Sequence, residues 1–105
     1  MSTKSAQTIQ IEFQQVMRQV STLKECVSDL NAQAKRMESL TGSLGSSWQG
    51  ESAELYISKC KELQSKISST AKNLSLTAEV ISRMAQTYRS AELKALETAT
   101  LRTSG

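Results

Sequence analysis

The sequence predicts an all-α protein: a helix-turn-helix hairpin of two long antiparallel helices, dimerising into a four-helix bundle. Three observations carry this. The 105-residue chain has no proline, and three of its four glycines fall between Thr41 and Gly50. On both sides of that decade, apolar residues recur at alternating spacings of three and four, the mark of a continuous helical stripe. The stripe of the second helix is three positions wide per heptad, which suits packing against two neighbours at once.

The polar start offers Ser2, Thr3, Ser5 and Thr8 as helix N-caps, with the first few residues expected to fray. From there Ile9, Phe13, Val16, Val20, Leu23, Val27, Leu30, Ala34 and Met37 keep the three-four alternation without a slip. This predicts helix one over about 8–40, roughly 50 Å long. The turn is expected at about 41–47, with Gly42 or Gly45 taking a left-handed cap. Ser46 followed by Gln49 fits a capping box that would place Trp48 in the first turn of helix two, where Glu51 and Glu54 favour the macrodipole.

Helix two is predicted over about 48–97. Its stripe runs Ala53, Tyr56, Cys60, Leu63, Ile67, Thr70, Leu74, Thr77, Ile81, Met84, Tyr88, widened by Ile57, Ala71, Ala78 and Ala85. The expected core of hairpin and dimer comprises Phe13, Val16, Val20, Leu23, Val27, Leu30, Tyr56, Leu63, Ile67, Leu74 and Ile81. Residues from about 98 to 105 read as a flexible tail, so the whole chain is one hairpin domain. Such a hairpin has too little interior to be stable alone, which is why a second chain is expected.

Composition excludes several classes. The net charge is +3 and the pI about 9.0, but the thirteen basic residues are scattered and only Lys35-Arg36 are adjacent. That pattern reads as solvated helix faces, with Glu62–Lys66 and Glu79–Arg83 as i,i+4 pairs, and not as a nucleic-acid stripe. With no histidine and no Cys-x-x-Cys there is no zinc site to name, and no nucleophile–base constellation or phosphate loop marks an enzyme or a cofactor. If the hairpin folds near Gly45, Cys26 faces Gln64 or Ser65 and Cys60 faces Asn31. The offset is ~7 Å along the axis, which favours free, buried thiols over a disulfide. No window reaches the length of a membrane span and the start lacks the apolar stretch of a cleaved leader, so export, if any, is expected without one.

Trp48-Gln49-Gly50, placed between two heptad arrays in a chain of this length, resembles the WXG family of early-secreted-antigen-like proteins, substrates of type VII (ESX) secretion. Tyr88-Arg89-Ser90-Ala91-Glu92 is similar to the family's Tyr-x-x-x-Asp/Glu export pattern, as a Glu variant. The basic pI departs from the acidic character of familiar members. The resemblance implies a non-enzymatic protein, made in the bacterial cytoplasm and exported as a folded dimer by a membrane ATPase translocase. It would act as a secreted virulence effector or a co-secreted chaperone or adaptor. Its partner would be a second copy or a paralogous hairpin.

Trp48 and Gly50 are thus expected as the turn motif, and Tyr88 and Glu92 as the secretion signal. Tyr88 is forty residues beyond Trp48, or ~60 Å along a helix, so an antiparallel dimer would bring one chain's Trp48 turn beside the other's Tyr88 end. Each residue also has a plainer role. Trp48 would plug the end of the bundle, Gly50 would relieve a tight turn, Tyr88 would continue the core and Glu92 would be a solvated acid. A coiled-coil adaptor, a needle-type secretion subunit and a membrane-active amphipathic protein are the alternatives in other classes.

Overall fold

The computed structural model describes residues 4–104, with side chains through 102. Helix α1 spans Ala6–Ser47 and α2 spans Glu51–Ser104, joined by Trp48-Gln49-Gly50 in an antiparallel hairpin; no strand occurs among the described residues. The chain divides into two compact units, each holding part of both helices. Unit 1 runs through Thr22 and resumes at Thr77; unit 2 is Leu23–Leu76.

Ser5 starts α1. Its Oγ accepts from the Thr8 amide at 3.1 Å, satisfying one of the helix's orphan donors, and its carbonyl accepts the first helical bond, from the Ile9 amide at 3.0 Å. Of the other predicted caps, Ser2 and Thr3 lie outside the described residues.

The turn sits later than the glycines predicted. Helix α1 continues through Gly42 and Gly45 to Ser47, and among the described residues Gly50 alone has positive φ, at 117°. A glycine inside a helix costs about 1 kcal/mol relative to alanine, which does not end a helix whose packing continues. Here Thr41 is buried, with its hydroxyl donating to the Met37 carbonyl at 2.7 Å, and a Cβ at Gly45 would stand 3.8 Å from Ile57 Cδ1. The predicted capping box does not form. Ser46 Oγ donates back to the Gly42 carbonyl at 3.1 Å, and Ser47 Oγ to that of Ser43 at 2.9 Å. Trp48 therefore precedes α2, and the Gly50 carbonyl accepts the first helical bond, from the Glu54 amide at 3.0 Å. At the far end, α2 runs through Ser104 where a flexible tail was expected; Thr98 and Thr100 donate to the carbonyls of Lys94 and Leu96, each at 3.0 Å, within an unbroken helix.

In unit 1, Ile9, Val20 and Ala78 are buried, and Phe13, Val16, Ile81 and Ala85 are half-buried. In unit 2, Ala34, Thr41, Ala53 and Ala71 are buried, flanked by half-buried Leu23, Val27, Leu30, Ile57, Ile67 and Leu74. Tyr56 and Leu63, expected in the core, are 60 % and 49 % exposed on the single chain. Half-buried Ile57 and Gln64, one position on, take the inward-facing places. The α2 side of the seam is lined by the buried alanines Ala53, Ala71 and Ala78, with Tyr56 and Leu63 left outside it.

The later turn also moves the register. Asn31 shares a hollow with Ser68, Ala71, Lys72 and Ser75 in place of Cys60. Both cysteines are free, as expected, but Cys26 is exposed and Cys60 half-buried, so the expectation of two buried thiols is corrected. Glu62 pairs with Lys59 at 3.7 Å, an i,i+3 contact on the solvent side, in place of the expected Lys66.

Candidate functional site

The turn motif belongs to unit 2. With φ near 117°, Gly50 holds a backbone conformation that a side chain resists, so the last position of Trp-x-Gly is fixed by the chain reversal itself. Trp48 is held from both sides. Its amide donates to the Leu44 carbonyl at 2.8 Å, and its ring lies 5.5 Å from that of Tyr56, tilted by 31°. The indole is still 41 % exposed, so on the single chain it does not plug the hairpin end.

Tyr88 and Glu92 belong to unit 1 and stand one turn apart on α2, which puts both side chains on one face. Both line an apolar hollow of about 400 Å³ whose walls come from Ile9, Phe13 and Val16 of α1 and Ile81, Met84 and Ala85 of α2. The Tyr88 ring is 63 % and the Met84 side chain 65 % exposed, forming a ridge beside this hollow; on its other side lies a second shallow apolar hollow with Val80, Thr87 and Ala91.

Charge is arranged around the rim of the larger hollow. Lys4 Nζ donates to Glu12 Oε2 at 2.8 Å and lies 3.7 Å from Glu92 Oε1. The Arg89 guanidinium sits 3.9 Å from the Phe13 ring centroid. The hydrogen bond to Glu12 raises the Lys4 pKa above its ordinary 10.5; slight burial opposes this, and the nearby Glu12, Glu92 and Tyr88 add to it.

No sequence pattern marks Lys4, Glu12 or Arg89 as part of a site. With the reversal near residue 49, Phe13 falls within a turn of Arg89, whereas a turn at 41–47 does not bring the two together. Lys4 lies in a stretch whose polarity read as fraying. Among the described residues there is no group of three or more histidines, cysteines or acids arranged to hold a metal, and no helix is long and apolar enough to cross a membrane.

A family model described as "Proteins of 100 residues with WXG" (WXG100) matches residues 8–93. The chain belongs to the WXG100 family. The match takes in the turn, both heptad arrays and the Tyr88–Glu92 motif, and leaves Lys4 outside it. Searches of curated proteins and of solved structures returned no match. WXG100 proteins are small helical proteins associated with type VII secretion, in which they pair, and they are not known as enzymes.

Proposed function

We propose that this WXG100 protein leaves the bacterial cytoplasm as a folded dimer carried by a type VII ATPase translocase. Outside, it serves as a secreted effector or a co-secreted chaperone or adaptor. The observation that carries the reading is the family match across residues 8–93, spanning both motifs.

The packing supports a second chain. Four of the six buried apolar residues among those described are alanines, and Val20 is the largest fully buried side chain. At roughly 25 cal/mol per Å², such an interior supplies little of the free energy needed to order two long helices. Meanwhile Tyr56 and Leu63 in unit 2, and Met84 and Tyr88 in unit 1, present apolar surface to solvent. In a closed two-fold arrangement these residues become the missing interior, completing a four-helix bundle with a second copy or a paralogous hairpin.

In such a dimer the Trp48 turn of one protomer lies beside the Tyr88–Glu92 turn of its partner. The export signal is then a composite that exists only after assembly. The exposed rings of Trp48 and Tyr88 are compatible with this double use as interface and signal.

Chemical cross-linking on both sides of the envelope tests the reading. Chain trapped in the cytoplasm and chain recovered from the medium should give the same cross-linked species of twice the chain mass, or of chain plus paralogue. Recovery from the medium of single-mass chain only, under conditions that cross-link the cytoplasmic pool, contradicts export as a folded dimer.

A further inference from the structure

We infer that Lys4 is a positioning residue for the Tyr88–Glu92 motif: its ammonium, shared between Glu12 and Glu92, holds the Glu92 carboxylate at the mouth of the apolar hollow beside Tyr88. This rests on the export reading above and deepens it, by making the start of the chain's first helix part of the surface an exporter reads.

The geometry carries the argument. Glu12 and Glu92 both line the hollow between Ile9, Phe13 and Met84. Two carboxylates facing one apolar space repel, and the repulsion is strongest where water is least available to screen it. The Glu92 side chain is only 21 % exposed, against 45 % for Glu12, so Glu92 has the greater need of a counter-charge. Lys4 supplies it. It is anchored on Glu12 by the 2.8 Å hydrogen bond and reaches Glu92 at 3.7 Å. The other cation at this end, Arg89, lies over the Phe13 ring, which leaves Lys4 as the cation on Glu92 among the described ion pairs.

The arrangement joins two elements. Lys4 precedes α1 and is fixed to it through Glu12, two turns further along, while Glu92 is on α2. A receptor contacting Tyr88 and Glu92 therefore meets an acid whose direction is set from the opposite helix. Glu12 and Glu92 lie within the family-matched residues and Lys4 lies outside them.

The test is export of Lys4→Met, Lys4→Arg and Tyr88→Ala in the producing bacterium, with helicity and dimer mass recorded for each. Lys4→Met keeps the stem and removes the charge. Its exported fraction should fall by roughly two- to fivefold, the range an exposed ion pair supports, with helicity and mass unchanged. Lys4→Arg should restore wild-type export, a rescue that a purely steric role would not give. Wild-type export of Lys4→Met beside retention of Tyr88→Ala overturns this inference and leaves the export motif standing. Equal loss in Lys4→Met and Lys4→Arg also overturns it. Wild-type export of Tyr88→Ala removes the motif reading, and this inference with it.

Discussion

The Arg89 guanidinium stands 3.9 Å from the centroid of the Phe13 ring, joining the motif-bearing turn of α2 to the second turn of α1. Phe13 read in sequence as a core residue only. Half-buried, it also gives a cationic residue inside the Tyr-x-x-x-Glu segment a place to rest its charge.

A double-mutant cycle on this pair should therefore show coupling. Phe13→Leu and Arg89→Gln, singly and together, are expected to give a coupling free energy of about 0.5–1 kcal/mol in urea unfolding at fixed protein concentration. Additive single effects would mean that the contact contributes only apolar area.

The three glycines near the turn should respond with opposite signs. Gly50→Ala places a side chain at φ 117° and is expected to destabilise by about 1–2 kcal/mol, although no atom lies within 4 Å of the new Cβ. Gly42→Ala, inside α1 with nothing within 4 Å, is expected to stabilise by about 0.5–1 kcal/mol. Gly45→Ala should follow Gly42→Ala, since its Cβ meets Ile57 Cδ1 at an ordinary 3.8 Å. Thermal unfolding midpoints of the three variants check the ordering.

How far the fold was legible follows from these same residues. The unbroken stripe from Ile9 to Met37 identified α1, and the absence of proline identified two helices. Glycine alone does not locate the turn. Gly42 and Gly45 remain helical because Thr41 and Ile57 pack there, and only the backbone angle at Gly50 marks the true reversal. Heptad position alone does not tell Tyr56 from Ile57, of which the first is exposed and the second half-buried. Trp48, Gly50, Tyr88 and Glu92 were named from sequence, but the Lys4–Glu12–Glu92 cluster depends on a register set by the turn, so no local pattern announced it.

The exposed heptad position should govern assembly and the buried one the hairpin. Leu63→Glu is expected to weaken pairing, seen as a loss of double-mass species and a lower unfolding midpoint at fixed protein concentration. Val20→Ala, at a site 1 % exposed, is expected to cost about 1–3 kcal/mol at fixed concentration. Unchanged mass for Leu63→Glu in the micromolar range would place the interface elsewhere.

The raised pKa of Lys4 has a signed consequence. The folded-state value lies above the ordinary 10.5, so the pairing stabilises the helix ends fully below that pH and is lost as pH rises through the folded value. The difference in thermal midpoint between wild type and Lys4→Met should be constant on the neutral side and vanish in the alkaline limb. A difference that persists after Lys4 has lost its proton would show that it arises from packing of the stem.

The central claim is export, and it is tested most directly by the abundance of intact chain in culture medium and in cells, with and without the type VII ATPase. Chain should appear in the medium of the complete strain and be confined to the cells when the ATPase is removed. Retention in the cells of both strains, while a known substrate of the same system reaches the medium, would contradict it.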